Sequence, residues 1–405
     1  MDIREHEPGL PARSTSLHAI VLSGSGSSST DAYEVGVMKA LMEEGRAHLG
    51  GIPLDPDVYS GSSFGALNAA IMASQAGGDT ASTLRYLERV WLEDISSTSK
   101  SCGNGVYRLR GNPFVFFNPQ CYMPRPAEPF VETFGDLVFL STNLLERFRT
   151  FLGDSSVPFY QRLLAIPSLT PFFDMRPLQI QLRKHVDLER LRRSAKDLIV
   201  MASDWATGMP RAFTKDEMTD EQGYAILQAS AAYLLAFPFV EVAGTPYGGA
   251  PGTMATPLKP VIETYATGSR RLVIHVVFLS PPMADVPFTG KMDSALGGLG
   301  RYFGINESVN IRSEVEYGPG KAPGRSPGGG GGPANVPAGP GGRAGEGAGA
   351  EIGSLTIHRY VPSKPIVNWF DFASFDREKT AGFIAQGYAD TLRHDCQAAG
   401  CSLAS

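Results

Sequence analysis

Short runs of consecutive apolar residues alternate along this chain with stretches whose apolar positions recur at helical spacing. Leu17 to Leu22, Leu198 to Asp204 and Arg271 to Leu279 each carry a nearly unbroken apolar core. Such runs are expected of strands buried on both faces of a parallel sheet. Between them, Ala32 to Glu44, Ser74 to Glu93, Ala225 to Leu235 and Glu378 to His394 repeat apolar residues every three or four positions, as helices do. Ser354 to Tyr360 reads as a further strand, and Pro177 to Leu182 precedes a charged helix containing Leu188 and Leu191. Strands alternating with helices predict an α/β fold with a mostly parallel central sheet flanked by helices.

Two stretches break the alternation. Residues 96–173 are rich in Gly, Pro and aromatics, with helix-like pieces at Phe134 to Leu152 and Phe159 to Ile166. They read as a helical and loop cap inserted into the core, with an apolar surface of Leu137, Leu140, Leu144, Phe148 and Phe151. Residues 318–353 are dominated by Gly, Pro and Ala and are expected to be a disordered insertion, because they cannot bury enough surface to offset chain entropy. The expected organisation is a flexible tail over 1–16, one domain over 17–394 and a C-terminal tail over 395–405.

Composition narrows the classes of function. The chain has 405 residues, a formal net charge of -5 and no Lys/Arg cluster, so no nucleic-acid partner is expected. The N-terminus lacks the basic start and apolar core of a signal peptide, and no window of spanning length is uninterrupted by polar residues. The four cysteines, Cys102, Cys121, Cys396 and Cys401, are scattered without metal-like spacing. They are read as free thiols in a reducing, cytoplasmic setting, with Cys396 and Cys401 close enough to pair. Neither a metal nor a cofactor is expected.

The chemistry concentrates at Tyr59-Ser60-Gly61-Ser62-Ser63-Phe64-Gly65-Ala66-Leu67-Asn68. A β-prone lead-in enters Gly-x-Ser-x-Gly and leaves through a helix-forming run, the context of a nucleophile elbow. Gly61 and Gly65 flank Ser63 because so sharp a turn has no room for neighbouring β-carbons. Ser63 is the candidate nucleophile, presented at a helix N-terminus that favours developing negative charge.

Together with this elbow, several landmarks resemble the patatin-like phospholipase family. Leu22-Ser23-Gly24 through Ala32 to Leu41 is similar to its oxyanion loop and first helix, and Gly61 to Ala69 to its elbow. Asp174 to Leu178, Ala202 to Gly208 and Ala229 to Val240 are similar to further core stretches. The resemblance covers most of residues 17–394 outside the cap and the Gly/Pro insertion. It implies a three-layer patatin-like architecture and hydrolysis of lipid acyl esters by a Ser–Asp dyad. Backbone donors from Gly24, Ser25, Gly26 and Ser27 would form the oxyanion hole, and any membrane contact would be peripheral, through the cap.

The chain departs from that pattern twice. Where the family carries the Asp of an Asp-Gly motif, this sequence has Tyr247-Gly248-Gly249-Ala250, with Gly249 at the Asp position. No Asp-Gly dipeptide occurs anywhere. The oxyanion loop is Ser-rich, longer than the family's, and lacks its basic residue. Asp31 and Asp204 are weighed as substitute bases, against helix capping for Asp31 and a structural role for Asp204. His18 falls at the wrong end of its strand, His275 reads as a core histidine, and His358 and Asp285 have no assigned place. Two readings follow: an impaired lipid acyl hydrolase, or an inactive relative that binds lipid or protein.

Overall fold

The computed structural model describes residues 16–24, 28–45, 49, 51–75, 79–97, 103–110, 135–136, 138–143, 145, 173–232, 237–249, 256–266, 270–279, 354–364, 366, 374–399 and 401. The apolar runs form the expected strands. β1 (Ser16–Leu22), β2 (Val58–Ser62), β5 (Asp197–Asp204), β9 (Arg271–Val277) and β10 (Leu355–Tyr360) lie side by side in the order β10-β9-β1-β2-β5, all parallel. Two short strands, β3 (Arg108–Leu109) and β4 (Phe173–Asp174), pair separately.

The far edge is antiparallel. β6 (Pro210–Thr214) returns along β5, and β7 (Val240–Val242) and β8 (Thr245–Gly248) form a hairpin that joins β5 through Ser203 and Asp204. Its turn places Ala243 at φ 51° and Gly244 at φ 80°. Two successive left-handed residues match the turn to the right-handed strand twist. Periodicity does not announce these three strands: Pro210 opens β6, Pro246 and Gly248 interrupt β8, and β7 is only 3 residues long.

Because successive strand residues face opposite ways, the sheet has two cores. Ile20, Leu22, Tyr59, Leu198 and Val200 face one layer, and Ala19, Val21, Val58, Ile199 and Ile274 face the other. The first layer is supplied by α1 (Ala32–Glu44), α2 (Phe64–Ser74), α3 (Thr80–Arg89), α4 (Arg176–His185), α5 (Leu188–Arg193), α6 (Gly223–Ala231) and α8 (Arg377–Leu392). The second includes Leu258 and Val261 of α7 (Leu258–Tyr265). A short α9 (Cys396–Ala399) follows α8 and touches β10. The result is helix, sheet and helix around a mostly parallel sheet. The inserted cap lies mostly outside the described residues, and the Gly/Pro insertion lies wholly outside them.

Candidate active site

The elbow follows from strand register. Leu22 of β1 stands beside Gly61 of β2, so both strands deliver their following loops to the same point. β2 ends at Ser62 and α2 starts at Phe64, which leaves Ser63 alone to turn the chain. Ser63 takes φ 54° and ψ -131°, one of two described residues other than glycine with positive φ. A side-chain-bearing residue held there costs about 1–3 kcal/mol and needs surroundings that over-determine it.

Those surroundings are close backbone contacts and two serine hydroxyls. A β-carbon on Gly61 would fall against the Gly65 carbonyl and lie 2.6 Å from the Ala66 nitrogen. One on Gly65 would lie 2.9 Å from the Leu22 carbonyl oxygen, which fixes α2 against the end of β1. The Ser63 N–H donates to Ser230 Oγ at 2.9 Å, and that hydroxyl donates to the Met201 carbonyl at 2.6 Å. Ser230, wholly buried on α6, therefore ties the elbow to β5.

The loop after β1 reaches the same place. The Gly24 N–H donates to Ser62 Oγ at 2.8 Å, and Ser23 Oγ shares a 2.8 Å hydrogen bond with Thr256 Oγ1. A β-carbon on Gly24 would collide with that of Ser63 and stand 2.8 Å from the Ser62 carbonyl oxygen. Only a glycine lets the loop pass so near the nucleophile position. Ser25, Gly26 and Ser27, the other expected oxyanion donors, lie outside the described residues.

Gly249 also comes to this corner. Its N–H donates to the Ala232 carbonyl at 2.8 Å, and a β-carbon on it would lie 3.1 Å from the carbonyl oxygens of both Ser230 and Ala232. It therefore abuts the residue that holds the Ser63 backbone. It contributes no ionisable group. Among the described residues, no carboxylate or imidazole hydrogen-bonds to the Ser63 hydroxyl.

Of the weighed substitutes, Asp204 is occupied elsewhere. Asp204 Oδ1 accepts from the Ala206 N–H at 2.8 Å and the Thr207 N–H at 3.2 Å, which closes the turn after β5 and holds its carboxyl below the ordinary range. The capping role expected of Asp31 is not observed: it occupies the α1 N-cap position without a side-chain capping bond. It is instead buried beside Glu34, also wholly buried. Burial, and then the Asp31 charge, raise the Glu34 carboxyl well above its usual range, against a 2.8 Å hydrogen bond from Asn68 Nδ2. Asn68 Oδ1 in turn accepts from Trp91 Nε1 at 2.7 Å. This buried acid pair packs under α2 and was not anticipated.

The histidines form a file across the sheet. His18, His275 and His358 stack ring on ring at 5.9 and 5.1 Å, on β1, β9 and β10. His275 is a core histidine, as expected, with Nδ1 3.1 Å from the Tyr360 hydroxyl. Free thiols were expected at Cys396 and Cys401, but the two sulfurs are bonded to each other, with Cα atoms 5.0 Å apart. Asp285 lies outside the described residues.

A serine at positive φ between a parallel strand and a buried helix, with a glycine loop against it, is the strand–turn–helix geometry in which a nucleophile elbow is built. The sequence model of the patatin-like phospholipase family matches residues 20–260, more than half of the chain, and the chain belongs to that family. It is thereby a member of a family of lipid acyl hydrolases. No curated protein sequence matches it. Among solved structures, the crystal structure of VipD from Legionella pneumophila aligns with 94% of this chain and 66% of its own, at 16% identity and a TM-score of 0.35. Among the described residues, no helix is long and apolar enough to cross a membrane.

Proposed function

We propose that this chain hydrolyses lipid acyl esters through Ser63, at a low rate because its dyad lacks a carboxylate. The observation that carries the reading is the conformation of Ser63, φ 54° and ψ -131°, which a packing serine has no reason to adopt. In the proposed reaction Ser63 Oγ bonds to the ester carbonyl carbon and its proton passes to water. The oxyanion is met by backbone donors of the Gly24 to Ser27 loop and by the start of α2. Collapse expels the lipid alcohol, protonated from solvent, and water then cleaves the acyl-serine to the free acid. The carboxylate that would take the Ser63 proton is replaced by Gly249. In serine hydrolases, loss of such a partner lowers turnover by about 10⁴–10⁶ and leaves about 10³–10⁴ over water. The proposed setting is the cytoplasm, with residues 17–394 as one domain and the 96–173 segment as the cap over the acyl chain.

The missing carboxylate also favours a second reading, in which the site binds lipid or a protein partner without turnover. A fluorophosphonate probe separates them. Ser63-dependent labelling, absent in Ser63→Ala, is expected. Gly249→Asp should raise p-nitrophenyl ester turnover at least about tenfold, since a positioned base contributes about 10²–10⁴. A chain that neither labels at Ser63 nor gains activity from Gly249→Asp is a binding module and not a hydrolase.

A further inference from the structure

At the edge of the sheet opposite the antiparallel hairpin, two sulfurs and two imidazoles converge. His358 comes from β10, His394 follows α8, Cys396 opens α9, and Cys401 lies just past it. One ligand atom from each lies within 4.8 Å of every other. His358 Nδ1 is 3.2 Å from Cys396 Sγ, and His394 Nε2 is 3.4 Å from Cys396 Sγ and 3.6 Å from Cys401 Sγ. The Arg359 N–H points at Cys401 Sγ from 3.5 Å.

From this cluster we infer that His358, His394, Cys396 and Cys401 form a zinc site in the reduced protein. Zinc–sulfur bonds of about 2.3 Å and zinc–nitrogen bonds of about 2.0–2.1 Å at tetrahedral angles put sulfur and nitrogen about 3.5 Å apart. The three nitrogen–sulfur separations bracket that value. Four protein ligands close the coordination sphere, so the site is structural and leaves no position for a reacting water. Two thiolates balance the dication, and a backbone N–H aimed at a thiolate is a usual outer partner of such a site. Its role follows from its position: it fastens α9 and the end of α8 to β10, the edge strand of the parallel sheet among the described residues.

The Cys396–Cys401 disulfide is then the oxidised, metal-free form of the same four residues. A dithiol reductant donates two electrons and two protons to break the S–S bond and is itself oxidised to a disulfide. Zinc then displaces both thiol protons as it binds. The site therefore links metal binding to redox poise.

The test uses the full chain, reduced, desalted without oxygen and checked for free thiols. One equivalent of zinc is expected to be held against a chromophoric chelator, and to be released by an oxidant that forms the disulfide. Cobalt in its place should show the intense visible bands of a tetrahedral ion with thiolate-to-metal charge transfer. Cys401→Ser and His394→Gln should weaken binding by more than the about 10–100-fold of an outer-partner loss. Cys102→Ser/Cys121→Ser should change nothing. The cobalt spectrum of the unmutated chain reports its ligands even if a variant fails to fold. No zinc on the reduced chain, an octahedral cobalt spectrum, or binding lost with Cys102 and Cys121 would overturn the assignment.

Discussion

Replacing Ser230 by alanine removes a single hydroxyl, yet the elbow should respond as if a prop had been pulled out. That hydroxyl accepts the Ser63 N–H at 2.9 Å and donates to the Met201 carbonyl at 2.6 Å, with Ser230 fully buried. Water cannot take over either bond without opening the packing of α6 on β5. An orphaned buried N–H costs about 1–3 kcal/mol, and the lost bond to the carbonyl adds about 0.5–1.5 kcal/mol. Ser230→Ala should therefore lose about 2–4 kcal/mol, near the top of the range for one substitution.

The complementary perturbation acts on the strain itself. Glycine adopts positive φ without the side-chain penalty, so Ser63→Gly should be more stable than Ser63→Ala by about 1–3 kcal/mol, the cost of the held conformation. Both variants remove the hydroxyl, so their difference isolates the backbone. Urea unfolding followed by fluorescence gives each value from the midpoint and slope. Equal stability of Ser63→Gly and Ser63→Ala, or a Ser230→Ala loss under about 0.5 kcal/mol, would refute the account of a strained turn held by Ser230.

Two further outcomes follow from the carboxylates of Glu34, which is buried, and Asp204, which is not. Burial and the Asp31 charge raise the Glu34 pKa above its ordinary 4.5, so the unfolded chain releases this proton before the folded chain does. Its contribution to stability is fully present below that ordinary value and is lost as pH rises towards the folded value. Glu34→Gln, which cannot ionise, should match the unmutated chain near pH 4 and exceed it increasingly above, by up to about 1.4 kcal/mol per pH unit; a gap independent of pH in urea titrations contradicts this. Asp204→Asn keeps an oxygen for the Ala206 and Thr207 N–H groups, so Ser63-dependent p-nitrophenyl ester turnover should stay within about twofold of the unmutated chain; its collapse would make Asp204 the base.

What the sequence disclosed, and what it hid, has a physical pattern. The elbow was legible because each constraint on it is local: a strand, two glycines where backbones touch, and a helix, all within Val58 to Ser74. Helix α1 was legible to the residue, since Gly45, at φ 57°, stops it. Ser230 was not legible, because a serine in an alanine-rich helix gives no sign that its hydroxyl reaches two other elements. The acid pair was hidden for the same reason: Asp31 at a helix start reads as a cap until α2 is packed over it. The His and Cys cluster draws ligands from β10 and from the α9 region that follows α8, segments far apart in sequence that the fold brings together. Its one sequence signal is His394-x-Cys396-x₄-Cys401, a compact run with a second histidine upstream.

The elbow and its base are energetically separate devices. The strained turn is held by the approach of Gly61 to Gly65, by Gly24 against Ser63, and by the Ser230 hydroxyl. None of these contacts uses a side chain at 249. The turn is therefore built without a carboxylate at 249, and strain alone does not certify turnover. It does keep Ser63 presented at the first turn of α2, where helix polarity favours the charge of an attacking oxygen or of its tetrahedral adduct. Phosphonylation by a fluorophosphonate, whose fluoride leaves readily, draws less on a general base than hydrolysis of an ordinary lipid ester does. The two should therefore part company in this protein: labelling at Ser63 with slow turnover, and turnover restored in proportion to the base supplied at position 249.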